Sequence, residues 1–212
     1  KLLKYVVPEL EEGAGVGQNK HHIYTVFEHN LKSFEYAIRE SYSLEVRLAS
    51  LLHDVGKPSC QKTPARDKAV RICFPGHDLK GAEMAAAIID RLALASYKAS
   101  GIDVDRERVT FAIRHHLLGV HGKPKEMLAT TIEKHFFAQP ASAELLLKVM
   151  YADGAATIAA NGRPMLGAYR ALKKRISEGA VVRGKPGKRP APLLRGDEIM
   201  QLLKLPSGPK IG

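Results

Sequence analysis

The chain has 212 residues, 45% hydrophobic and 26% charged, which excludes a disordered or collagen-like polymer and suits one globular body with a buried core. Its formal net charge is +11, and the excess is concentrated late: residues 162–212 carry 12 basic and 3 acidic side chains, whereas residues 1–161 carry 21 and 19. That last quarter is the expected contact surface for a polyanion.

Helical periodicity dominates from the start. Over 24–40 the residues Phe27, Leu31, Phe34 and Ile38 recur at steps of three and four and predict the buried stripe of a helix. His29 falls on the neighbouring stripe with Val26 and Ser33. A second helix is expected over 44–55 from Leu44, Leu48, Leu51, Leu52 and Val55, with Gly56-Lys57-Pro58 as its stop signal. Residues 59–75 read as a loop with room for a short strand or hairpin at 69–74. Helix resumes over 78–92, where Gly81 suggests a second backbone passing close by. Asp103 or Asp105 caps the next helix, which runs to about 118 with Val109, Ala112, Ile113 and His116 on one face. Further helices are expected over 125–137, 142–153 and 165–176, then a basic linker over 179–195 and a short helix over 197–205. The fold class is therefore all-α, with a basic C-terminal extension over 162–212 following a body over 1–161.

Two cysteines, Cys60 and Cys73, are too few for a disulfide framework, so a reducing, cytoplasmic setting is expected. No run approaches the roughly 18 apolar residues that cross a bilayer, and no membrane contact is expected. The chain opens on Lys1 and stops at Ile211-Gly212, which reads as a piece of something longer.

Five helical segments each contribute a polar group that can meet the others in the core: His29, His53 with Asp54, His77, His115 or His116, and Asp153. Buried imidazoles and carboxylates cost several kcal/mol each unless something neutralises and ligates them, and a divalent cation does both. Asp54 stands in the last turn of its helix, against the negative end of the macrodipole, and calls for a positive partner. Lys57 is one candidate for that partner; a metal ion is the other. Asp153 lies one turn beyond Val149 on an apolar stripe, or else is a helix-terminal Asp before Gly154. His21 and His22 at a helix entry, and more clearly His121 and His135, read as surface residues.

These residues carry a family resemblance. The order His29, His53-Asp54, Asp153, with Leu51-Leu52-His53-Asp54-Val55-Gly56-Lys57, resembles the HD superfamily of metal-dependent phosphohydrolases. Pro8-Glu9-Leu10, Gln18-Asn19-Lys20-His21-His22, Tyr24 to His29, Phe74-Pro75-Gly76-His77 and Pro206-Ser207-Gly208-Pro209 are similar in particular to the HD domain of tRNA nucleotidyltransferase and poly(A) polymerase-like proteins.

The resemblance implies an HD-type helical bundle with His29, His53, Asp54 and Asp153 on one metal ion. His77 and the pair His115-His116 would serve a second, with His116 the member on the buried stripe. Such a donor set suits manganese, iron, nickel or cobalt better than magnesium or calcium, and exceeds the four ligands of a tetrahedral zinc. Asp54 would touch both ions. Lys57 and Arg114 are candidates to hold a substrate phosphate, with ordinary cation roles as the alternative. The implied activity is hydrolysis of a nucleotide or RNA-end phosphoester, by a phosphatase or a 2',3'-cyclic phosphodiesterase. The other reading is a non-catalytic RNA-binding module using the basic residues between Arg163 and Lys210. The chain lacks the Gly-Ser motif and the carboxylates of a nucleotide-adding head, so it is not expected to add nucleotides by itself.

Overall fold

A computed structural model of the chain describes residues 2–18, 23–96, 104–121, 123–159 and 162–183. Six longer helices build the body: α1 (Val26–Arg39), α2 (Leu44–Leu52), α3 (His77–Arg91), α4 (Arg106–His115), α5 (Pro140–Ala156) and α6 (Gly167–Arg183). Short helical turns link them, including Leu3–Val6 and Pro8–Glu11 before α1, Lys57–Cys60 after α2, and a π-helical turn Glu133–Phe137 before α5. Among the described residues no strand forms. The hairpin expected at 69–74 is reduced to one isolated antiparallel bridge, Lys62 to Cys73. Pro64 and a left-handed Lys68 turn the intervening segment into a short helix and bends instead.

Local chemistry sets where the helices begin. Thr25 and Glu28 form a reciprocal cap: the Glu28 amide donates to Thr25 Oγ1 at 3.2 Å and the Thr25 amide to Glu28 Oε2 at 2.8 Å. Asp105, not Asp103, caps α4, accepting from the amides of Glu107 and Arg108. The buried Glu45 of α2 accepts from the Asp105 amide at 3.0 Å and pairs with Arg108, tying the start of α4 to α2. Asp103, His21 and His22 lie outside the described residues, as does the helix expected over 197–205.

Helix α5 is the centre of the bundle and packs on α1, α2 and α4, while α3 packs on α4. Leu52, Ile88, Ile89, Val109, Ile113, Leu146 and Val149 are fully buried between them. The α1 stripe differs from the expected one. Val26, His29, Asn30, Ser33 and Ala37 face the core, whereas Phe27, Leu31 and Phe34 are half-buried and Ile38 is exposed. The inward face is polar because His29 is drawn toward carboxylates on other helices, and the large apolar residues flank it. Leu172 of α6 is also fully buried, with Tyr169 and Ile176 packed on the same core. Residues 162–179 thus share the compact unit that spans Lys1–Gly179. Residues 179–183 continue α6, and the rest of the basic linker lies outside the described residues.

Gly56 does not end a helix by a left-handed turn; its φ is −78° and a helical turn resumes at Lys57. It is a point of contact. A Cβ at Gly56 would lie 2.5 Å from the Gly81 nitrogen and 2.5 Å from the His77 carbonyl oxygen, so Gly81 and Gly56 are the two sides of one backbone crossing. That crossing locks the His53-Asp54 turn onto the first turn of α3, where His77 stands. Gly56→Ala is expected to cost about 3 kcal/mol by forcing the backbones apart. Denaturant unfolding checks this, and a midpoint equal to the wild type would mean the crossing tolerates a methyl group.

Candidate metal centre

The end of α2 delivers two of the polar groups. His53 is its C-cap residue and Asp54 opens the following turn, both buried. His29 comes from α1, His77 from the start of α3, His116 from the residue after α4, and Asp153 from the last turn of α5, which continues to Ala156. Asp153 is therefore not a helix-terminal cap.

The structure brings these six side chains together around the Asp54 carboxylate, whose two oxygens face different partners. Oδ2 lies 3.6 Å from His29 Nε2 and 3.3 Å from His53 Nε2. Oδ1 lies 3.3 Å from His77 Nε2 and 3.6 Å from His116 Nε2. Asp153 Oδ1 closes the first group at 3.0 Å from His29 Nε2 and 3.6 Å from His53 Nε2. The ligating atoms of His29, His53 and Asp54 all fall within 4.8 Å of one another, as do those of Asp54, His77 and His116. Two three-residue groups thus share one carboxylate.

Three of the rings are oriented in the same way. His53 Nδ1 sits 2.9 Å from the Ser50 carbonyl, His77 Nδ1 2.6 Å from that of Phe74, and His116 Nδ1 2.6 Å from that of Ile113. A carbonyl only accepts, so each Nδ1 carries a proton and each Nε2 is left to face the carboxylate. This is how proteins present imidazole to a metal.

Charge makes the same demand. Burial pushes the His116 ring down, so it is neutral at pH 7 and turns a lone pair toward Asp54. Burial also penalises the charged forms of His53 and Asp54, but the two oppose it together. Asp54 and hydrogen bonds to the carboxylates raise His53 to about 10, and the charges of His53 and Lys57 hold Asp54 well below the carboxylate range. Asp54 Oδ1 and His77 Nε2 are buried and face each other with no hydrogen-bond partner for either atom. A cation between them supplies what both lack, so the residues fit a divalent metal, and the nitrogen-rich donor set fits a transition metal.

Lys57 is buried beside the centre, with Nζ 2.5 Å from Asp54 Oδ2 and 2.7 Å from Gln18 Oε1. The Thr157 hydroxyl lies 3.4 Å from Asp153 Oδ1. A cavity of about 540 Å³ opens over Asp54, Lys57, His77, His116 and Asp153. Ile72, Phe74, Pro75, Leu117 and Met165 give it an apolar wall, and the exposed Arg71 also lines it.

Two expected site residues are placed elsewhere. The His115 ring packs on Phe111 and His135, with centroids 4.7 and 4.5 Å away, and burial followed by the His135 charge lowers it to about 4. Arg114 is exposed and is not among the residues that line the cavity. His135, expected at the surface, is buried in the π-helical turn against His115 and Phe111. Gln18, Arg71 and Phe74 were not assigned roles from the sequence. Gln18 and Phe74 stand in motif strings that carry the resemblance, whereas nothing local marks Arg71.

The sequence profile of the HD domain family matches residues 26–168, which contain every histidine and aspartate of this centre. The chain belongs to the HD domain family. HD domains bind divalent metals and include metal-dependent phosphohydrolases. The chain is also similar over its whole length to two bacterial proteins. It is 35% identical to an A-adding tRNA nucleotidyltransferase of Deinococcus radiodurans, over 218 aligned residues. It is 30% identical to a CC-adding tRNA nucleotidyltransferase of Thermus thermophilus, over 216. The chain spans 45% and 44% of the length of those relatives. No helix among the described residues is long and apolar enough to cross a membrane.

If the six side chains form the centre, manganese at a hundred times its Kd should stabilise the protein by about 2.7 kcal/mol, and EDTA should reverse the gain. Asp54→Asn should abolish the shift in melting temperature. Bound metal measured by mass spectrometry should drop in His116→Ala and stay at the wild-type level in His115→Leu; equal losses in both would misplace the centre.

Proposed function

We propose that this HD domain is a metal-dependent phosphohydrolase acting on nucleotide or RNA-end phosphoesters, as a phosphatase or a 2',3'-cyclic phosphodiesterase. The observation that carries the reading is the shared Asp54 carboxylate at the floor of an open cavity, with imidazole Nε2 atoms facing both of its oxygens. His29, His53, Asp54 and Asp153 would hold one ion and Asp54, His77 and His116 a second. A divalent ion there, whether manganese, iron, nickel or cobalt, supplies an activated water and a Lewis acid for the phosphoryl oxygen.

The protein's own residues do the remaining work. The carbonyls of Ser50, Phe74 and Ile113 hold three imidazoles in register, so no reorganisation is needed when charge develops. Lys57 puts an ammonium at the cavity floor, where a phosphate oxygen would lie, and Arg71 adds a second cation. The wall of Ile72, Phe74, Pro75 and Met165 excludes water and offers a surface against which a base can pack. A purely ionic substrate would leave that wall unused, which favours a nucleoside phosphoester. Residues 1–161 carry every ligand and cation proposed for this chemistry, Met165 adds to the wall from the start of the basic stretch 162–212, and that stretch is the extension.

That extension supports a second reading. Its 12 basic and 3 acidic residues suit an RNA backbone, and the relatives' names connect them with tRNA. In this reading the domain is a non-catalytic RNA-binding module that uses residues between Arg163 and Lys210. Free Cys60 and Cys73 accord with a reducing cytoplasmic setting in either case.

Hydrolysis of 2',3'-cyclic AMP and bis-p-nitrophenyl phosphate by the manganese-, iron-, nickel- or cobalt-loaded chain separates the two. Turnover should fall by at least about a hundredfold in Asp54→Ala, the scale on which metal sites lose activity when a supporting residue is removed. Absence of turnover with every metal, together with tRNA affinity that drops steeply with salt, would favour the binding module.

A further inference from the structure

Lys57 is held from three sides. Its Nζ lies 2.5 Å from Asp54 Oδ2, 2.7 Å from Gln18 Oε1 and 5.5 Å from the centroid of the Phe74 ring. Two of those partners, Asp54 and Phe74, line the same cavity as Lys57 itself. Gln18 stands outside the region matched by the family profile, on the segment that precedes α1.

That segment is fastened to the start of α1 at three successive points. The Phe27 amide donates to the Gly13 carbonyl at 3.2 Å, the Val26 amide to that of Val16 at 3.0 Å, and Gln18 Nε2 to the Tyr24 carbonyl at 3.3 Å. The last bond fixes which end of the amide faces Lys57: the nitrogen is spent on Tyr24, so the oxygen accepts from the ammonium. Gln18 is buried, and its carboxamide is oriented before any ligand arrives.

The three partners are not equivalent. Asp54 Oδ2 also faces His29 Nε2 and His53 Nε2, and an ion bound among them would compete directly with the ammonium for that oxygen. Gln18 and Phe74 have no such second duty. Once Asp54 is engaged by an ion, they alone keep the ammonium at the cavity floor, with one N–H released from its carboxylate. We infer that Gln18 is a positioning residue that holds Lys57 as the phosphate-binding cation of the metal-loaded site, and that Lys57 passes from Asp54 to substrate phosphate when metal binds. The inference rests on the phosphohydrolase reading for its substrate, but its content is a phosphate-binding cradle that can be measured without turnover.

The probe is inorganic phosphate titrated calorimetrically into the manganese-loaded 212-residue chain. Gln18→Met keeps length and bulk and removes the acceptor. It should weaken phosphate binding about tenfold, with metal content near that of the wild type. Lys57→Met should weaken it at least as much, and adding Gln18→Met to that background should cost nothing further, because Gln18 acts only through Lys57. With a hydrolysable ester, Gln18→Met should raise KM more than it lowers kcat. Additive losses in the double variant, unchanged phosphate affinity in Gln18→Met, or no phosphate binding by the wild type would each overturn the inference. Should Gln18→Met fail to fold, Lys57→Met alone decides, since wild-type phosphate affinity in that variant removes the cation the argument needs. Absence of turnover combined with the non-additive binding pattern would sink the hydrolase reading and leave this one standing.

Discussion

A carboxylate buried at the carbonyl end of a helix is the constraint around which the site is built. Asp54 follows α2 at the negative end of its macrodipole and is shielded from water, so its charge must be met by cations at short range. Four imidazoles and one ammonium converge on it from separate parts of the chain. Isolated ion pairs in a core seldom repay their desolvation. A constellation of this size is explained by a ligand that binds all its members at once, which is the role a divalent ion fills.

The same constraint shapes the packing. The inward stripe of α1 holds His29, Asn30 and Ser33, which no hydrophobic argument would select, while Phe27, Leu31 and Phe34 settle at its flanks. The glycine crossing between Gly56 and Gly81 brings the His53-Asp54 turn against the first turn of α3 at backbone contact. A side chain at Gly56 would press on the His77 carbonyl and move His77 relative to Asp54. Stability and ligand geometry are therefore coupled through two residues that carry no functional group.

Much of this was legible in the sequence where periodicity and chemistry agree. On α4 the stripe Val109, Ala112, Ile113 is apolar and leads directly to His116, so the buried member of the histidine pair could be told from its neighbour. Gly81 announced a close approach, though not its partner, because the crossing is between segments 25 residues apart. Legibility failed where tertiary contacts override local pattern. The inward stripe of α1 departs from its hydrophobic periodicity because the polar groups of the centre, not the largest apolar residues, face the core. His135 has no mark in the sequence because burial in a π-helical turn leaves no 3.6-residue signature. Arg71 has no flanking pattern at all, and only the fold sets it beside the cavity.

The groups proposed as ligands run from His29 to Asp153, so no local segment can assemble the centre, and any metal affinity would be inseparable from the folded core. The fold nevertheless does most of the organising without help from an ion. Backbone carbonyls orient three of the rings, α5 carries Asp153 inward, and Gln18 is already bonded to both Tyr24 and Lys57. The proton held on His53 and the ammonium of Lys57 offset the carboxylates before an ion arrives. Metal binding there would be a replacement of cations in a formed site: His53, raised to about 10 by its acidic neighbours, would give up its proton, and Lys57 would give up Asp54. Proton release of that kind would make affinity rise with pH, and release of Lys57 would free a cation on the face where a phosphate would enter. Loading the centre and arming it for an anionic ligand would thereby be the same event.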